Sequence, residues 1–283
     1  MFDVESIGMS QLGFARAFIR LCDDGWHAGY HECNGGNASY RLSEADLDQA
    51  RPFFDEAYRD WVPLESAMPE MGGVFLLVTG SGKFLRNVIL DPAANCGIVE
   101  VSPAGDAWRC VWGLAGGARP TSELPSHIAA HAVRIAATEG RSRVLYHAHP
   151  TSVAALTSII EPDARTVTRI LWKAFSEAII AIPDGIGVVP WMRPGSQSLA
   201  DATAAELADH AACIWQLHGV FASGVTCDAA FGLVNAVDKA ADAYLRARSA
   251  SGGAEPLYGI PDEGLRATAQ AYGLPLCEAF LDG

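Results

Sequence analysis

Residues 143–150 read Arg143-Val144-Leu145-Tyr146-His147-Ala148-His149-Pro150. The apolar and β-prone run from Arg143 to His147 is strand-like. Pro150 has no N–H to give a ladder, so the strand stops there. Residues 150–160 and 165–176 have helical spacing. Upstream, Thr121 and Ser122 are good caps for a helix from about Glu123 to Thr138. Farther downstream, Ala178 to Ile182, Ile186 to Pro190 and Cys213 to Phe221 read as strands. Residues 198–211 and Ala229 to Ser249 read as helices, and the C-terminal tail adds one more.

Toward the N-terminus, residues 10–24 form an amphipathic helix with Leu12, Ala15, Phe18, Ile19 and Cys22 on one face. Ala38 to Leu42 and Val74 to Val78 are short strands. Residues 44–60 are polar and helix-like, interrupted by Pro52. Cys96 to Val101 and Trp108 to Trp112 flank the turn Pro103-Ala104-Gly105-Asp106, a hairpin pattern. Strands and helices alternate, but hairpins interrupt them. This predicts an α/β fold: one layered αβα domain over residues 1–283, with a mixed or mostly antiparallel central sheet.

The 283 residues are half hydrophobic and 19% charged, which argues against disordered and fibrous classes. A net charge of -13 excludes a basic surface for nucleic acid, and no polybasic run suggests an anionic membrane. Seven scattered cysteines without a CxxC predict buried free thiols in a reducing compartment. Asp3, Glu5, Arg16 and Arg20 break the N-terminal stretch, so no signal peptide is expected. No apolar run approaches the ~20 residues that span a bilayer. The expected setting is cytoplasmic.

His147 and His149 lie two apart, so on a strand both imidazoles point to one face. They sit at a strand's C-terminal end, where open α/β sheets bind ligands. His218 ends a second apolar run, Ile214-Trp215-Gln216-Leu217. Three imidazoles from two strand ends can build an open, catalytic type of zinc site. The plainer reading of the residues alone is hydrogen-bonded histidines near a turn. His27, His31, His127, His131 and His210 are read as structural. Glu123, in a first helical turn, is either simple helix electrostatics or an acid/base beside a metal. Thr79-Gly80-Ser81-Gly82-Lys83 fails the P-loop pattern, having Leu77 and Phe84 at its ends. It is either a tight turn or a nest of amides for an oxyanion. Asn34-Gly35-Gly36-Asn37 is a turn, and Thr121-Ser122 is a cap that also suits phosphate.

Asn34 to Asn37, Thr79 to Phe84, Asp91 to Asn95, Pro120 to Pro125, His147 to His149 and Pro183 to Gly187 resemble the class II aldolase family in order and spacing. Trp172 to Glu177, Val189 to Met192 and Trp215 to Gly224 extend the likeness over nearly the whole chain. Within the family it is the longer ketose-1-phosphate aldolases that the chain resembles. The resemblance implies a zinc lyase that splits a phosphorylated ketose into dihydroxyacetone phosphate and an aldehyde. It implies His147, His149 and His218 as zinc ligands and Glu123 as acid/base. Glu177 would reach into a neighbour's site within a homotetramer. Asn34, Asn37, Ser81, Gly82, Thr121 and Ser122 would form the phosphate and ketose pocket. Two alternatives stay open: an aldolase, epimerase or dehydratase for a sister sugar phosphate, and a non-enzymatic module like the head of adducin. Segment 44–70 departs from the family in composition.

Overall fold

A computed structural model describes residues 8–55 and 60–281. Ten α-helices and nine strands are present among the described residues. The strands are β1 Asn37–Arg41, β2 Val62–Pro63, β3 Phe75–Thr79, β4 Cys96–Val101, β5 Ala107–Gly113, β6 Val144–Ala148, β7 Gly187–Val189, β8 Ala212–Trp215 and β9 Gly219–Gly224. They form one sheet in the order β2-β5-β4-β3-β1-β6-β9-β8-β7. Only β7 and β8 pair in parallel; the other pairs are antiparallel. The sheet is therefore mixed and mostly antiparallel, and the fold is α/β.

Strand alternation divides the core into two layers. On one face, Ala38, Leu77, Ile98, Val144, Tyr146 and Ala222 pack with α1 Gly13–His27, α5 Thr151–Leu156, α6 Ala164–Ala174 and α9 Cys227–Ala250. On the other face, Leu145, Trp215 and Phe221 pack with α8 Gln197–Asp209. Leu76, Val78 and Val99 of the same face pack with α4 Leu124–Thr138. On β6 the period of two puts Val144, Tyr146 and Ala148 in the first layer. Leu145 and His147 fall in the second, beneath α4 and α8.

Four expectations are corrected. Residues 178–181 are helical, within α7 Ser176–Ala181, and Ile182 caps its end. Their buried members Ala178, Ile179 and Ile182 follow helical spacing, and this face packs on α9 and on α10 Asp262–Tyr272. A short apolar run does not itself distinguish helix from strand. Residues 213–221 form two strands, not one: β8 and β9 are joined by a tight turn in which Leu217 takes φ +57° and His218 N–H donates to Trp215 O at 3.0 Å. The 44–60 segment is a short helix, α2 Glu44–Ala50, with a Ser43/Asp46 capping box. A single 3₁₀ turn with Pro52 follows it, and residues 56–59 of that expectation lie outside the described residues. Finally, the cap of α4 is Glu123, and Thr121 Oγ1 instead accepts from Glu123 N at 3.2 Å.

The seven cysteines are free, and five are buried. Cys33 is exposed, contrary to the expectation of buried thiols, because it lies in the turn before β1 with φ +47°. No helix among the described residues is long and apolar enough to cross a membrane.

Candidate metal centre

Three histidines converge at the end of β6. His147 is its fourth residue, and His149 follows the strand, with its N–H donating to Tyr30 O at 3.0 Å. His218 arrives from the β8–β9 turn, which the antiparallel β6–β9 pairing places alongside. Ring centroids lie 4.7 Å apart for His147 and His149, 4.9 Å for His147 and His218, and 4.8 Å for His149 and His218. One ligand nitrogen from each ring falls within 4.8 Å of the others.

The hydrogen bonds behind the rings decide what these nitrogens offer. His147 Nδ1 lies 3.0 Å from Val220 O, a carbonyl that can only accept. His149 Nδ1 lies 2.8 Å from Glu32 Oε1. Both partners therefore hold the ring proton on Nδ1, the usual outer support of a metal-binding imidazole. The two Nε2 atoms then face each other 3.0 Å apart, lone pair to lone pair, with no proton between them. A cation between them relieves that repulsion. A tetrahedral site with metal–nitrogen bonds of about 2.0–2.1 Å spaces its nitrogens about 3.3 Å apart, close to this separation. The residues fit a metal ion.

Electrostatics favour the same state. Burial, then the neighbouring imidazoles, pushes His147 well below the usual histidine range. Burial, then His149, lowers His218 to about 4. Both rings are neutral near pH 7, the form that ligates. Trp215 lies tilted against His147 with centroids 4.3 Å apart, and it is itself fixed by Nε1–H donating to Thr203 Oγ1 at 2.9 Å.

Glu123 closes one side. Its Oε2 lies 4.0 Å from His147 Nε2 and accepts from Asn37 Nδ2 at 2.7 Å. Burial raises its pKa above the ordinary carboxyl value, and the Asn37 hydrogen bond works against that rise. Asn37 gets there through register, since it pairs directly with His147 across β1 and β6. A carboxyl so placed is a proton carrier within reach of whatever the histidines bind.

The expected anion loops also meet. Gly80 bridges to Pro120, and Ser81 N–H donates to Arg119 O at 2.8 Å. Ser81, Thr121 and Ser122 thereby line one cleft of about 360 Å³ together with Arg119 and Trp108. Gly82 takes φ +68° in this turn, which a side chain would strain. Asn34 is exposed in the turn that Gly35 N–H closes onto Glu32 O at 2.7 Å. Glu177 is not brought to the histidines. It lies exposed in the first turn of α7 and lines a separate cleft with Phe175, Asn235 and Lys239.

Glu32, Ser39 and His127 escaped the sequence reading. Glu32 has no pattern that separates it from a surface carboxylate. Ser39 lies two residues after Asn37 on β1, so period two does place it on the same face. His127 and His131 point at that face as well, each within hydrogen-bond distance of Ser39 Oγ.

The profile of the class II aldolase and adducin N-terminal domain matches residues 16–245. Over 275 residues the chain is 42% identical to a rhamnulose-1-phosphate aldolase of Escherichia coli O81 (strain ED1a), covering 96% of this chain and 98% of the relative. Among solved structures, a sugar-phosphate aldolase from Thermotoga maritima superposes with a TM-score of 0.70 at 27% identity, over 85% of this chain and 96% of that one. An L-fuculose 1-phosphate aldolase superposes with a TM-score of 0.59 at 18% identity, over 92% and 95%. At that identity the second likeness speaks to fold alone.

Proposed function

The chain belongs to the class II aldolase and adducin N-terminal domain family and is an aldolase of the lyase class, and from that premise we propose that it cleaves L-rhamnulose 1-phosphate into dihydroxyacetone phosphate and L-lactaldehyde with zinc at His147, His149 and His218. The observation that carries this reading is the convergence of one nitrogen each from His147, His149 and His218 within 4.8 Å, with Glu123 Oε2 4.0 Å from His147 Nε2. Zinc bound there would act as a Lewis acid on the ketose oxygens and stabilise the charge that develops as the C3–C4 bond breaks.

The remaining work falls to the chain's own residues. Cleavage removes the proton of the C4 hydroxyl, turns C4 into the aldehyde carbon and returns a proton to C3. Glu123, with its raised pKa, is suited to hold the proton delivered to C3. Glu177 of a neighbouring copy would take the proton on the aldehyde side. Its exposed position in the first turn of α7 leaves it available to a neighbouring subunit of a homotetramer. Ser81, Gly82, Thr121 and Ser122 would hold the phosphate through amides and hydroxyls, as an acidic chain with few cations requires. Asn34 and Asn37 would orient the ketose. On this reading residues 1–283 work as a single domain in the cytoplasm. The adducin-like alternative has less support, because three histidines that could hold a metal ion and a buried Glu123 4.0 Å from His147 are present.

The test is a reductase-coupled assay of the zinc-loaded enzyme on L-rhamnulose 1-phosphate, with a chelated sample alongside. Chelator-sensitive dihydroxyacetone phosphate is expected. A folded, zinc-loaded sample that yields none would discard this substrate, and L-fuculose 1-phosphate would be assayed next.

A further inference from the structure

Behind Glu123, Asn37 leads into a line of buried polar side chains, His127, Ser39 and His131, that no step above uses. His131 Nε2 lies 2.9 Å from Ser39 Oγ, and Ser39 Oγ lies 2.7 Å from His127 Nδ1. His127 Nε2 lies 2.5 Å from Asn37 Oδ1, and Asn37 Nδ2 lies 2.7 Å from Glu123 Oε2. Ser39, His127 and His131 are at most 1% exposed. Burial lowers His127 to about 3 and His131 well below the usual range, so both rings are neutral, each with one donor and one acceptor.

These facts give the chain one consistent direction. Asn37 turns its amide nitrogen to Glu123 and its carbonyl oxygen to His127, so His127 must carry its proton on Nε2. Its Nδ1 then accepts from the Ser39 hydroxyl, and the Ser39 oxygen accepts from His131 Nε2–H. Each link leaves the next only one role. An amide has nearly equal shape either way round, so without His127 nothing on this side would hold the Asn37 nitrogen toward the carboxylate. Buried networks of this kind are costly when links are missing, and each link from His131 Nε2 to Glu123 Oε2 is made.

We infer that His127, Ser39 and His131 are positioning residues for the aldolase reaction: they lock the Asn37 amide so that it holds Glu123 in its working orientation. The chain carries no proton to the substrate; it fixes a side chain. The inference rests on the proposed role of Glu123, and the experiment separates the two.

Turnover and zinc content are measured for His127→Phe, His127→Gln and Ser39→Ala, each in the native and the Asn37→Ala background. In the native background His127→Phe should lower kcat between about 10- and 100-fold at full zinc content, the scale of a misplaced catalytic group. His127→Gln keeps a donor toward Asn37 and should restore most of that loss. In the Asn37→Ala background the same substitutions should change kcat less than about twofold, because the link is already cut. Equal losses in both backgrounds would overturn the inference. If His127→Phe does not fold, Ser39→Ala carries the same comparison. Independently, ring ¹⁵N NMR of the native enzyme should find His127 protonated on Nε2, and an Nδ1-protonated ring would overturn the direction of the chain. Glu123→Gln with undiminished turnover would instead remove the acid/base reading, and the ring protonation would still report the chain.

Discussion

Glu32 supports the metal centre from the surface of the protein. It stands 67% exposed, where a carboxylate ordinarily contributes little, yet its Oε1 lies 2.8 Å from His149 Nδ1. Burial pushes the Glu32 carboxyl up, but hydrogen bonds from its own backbone and from His149 outweigh this and leave its pKa below the usual value. Replacing Glu32 with Gln keeps the shape but frees the His149 proton to move to Nε2. Metal affinity should fall about 10- to 100-fold, read by competition with a chromogenic chelator. An unchanged affinity would mean that Tyr30 O alone orients His149. His147→Ala should abolish metal binding and turnover together. Glu123→Gln should retain metal while turnover drops, since the amide fills the space but cannot exchange the proton. The histidine pair was legible because a strand's period is two, so His147 and His149 had to share a face. Glu32 was not, because its partner is 117 positions away in the chain.

The hairpin of β8 and β9 is the element on which the site depends most. Its turn decides whether His218 meets His147, and the sequence reading ran one strand straight through it. The reason is local: Cys213 to Phe221 contains no Asn-Gly or Asp-Gly pair to announce a reversal. Leu217 takes the left-handed conformation instead, anchored by its N–H donating to Thr157 Oγ1 at 3.0 Å. Gly219 then opens β9 against β6. A methyl group there would lie 2.2 Å from Ala148 O and 3.1 Å from the His149 ring. Gly219→Ala must push β9 from β6 or tilt His149. A loss of about 1–3 kcal/mol in denaturant titration is expected, together with weaker metal binding. Stability lost without any change in metal affinity would show that the hairpin can relax away from the histidines. The α7 misreading has the opposite origin. Its Ile-Ile-Ala-Ile run satisfies a strand pattern, and only packing against α9 and α10 makes it a helix.

For the whole molecule, the layered αβα plan followed from alternation alone, but which layer holds the polar residues did not. The layer beneath α4 buries His127 and His131 as neutral rings, and that choice sets how the protein responds to acid. An unfolded chain protonates each near pH 6.5, whereas the folded chain holds His127 down to about 3 and His131 well below its usual value. Above pH 6.5 both states are neutral, so the contribution is fully present. Below it the unfolded state binds more protons, and stability falls as pH falls. His127 should forfeit about 2 kcal/mol between pH 7 and pH 5, from the ~1.36 kcal/mol per unit of such a shift, and His131 should lose stability in the same direction. Other titrating groups act over the same range, so the comparison is with His131→Leu, from which one ring is missing. Urea titrations of both proteins at pH 7 and pH 5, free of metal, should show the variant losing less stability on acidification. Equal losses would mean that His131 takes up its proton in the folded state, and that the chain from His131 to Ser39 is broken well above pH 5.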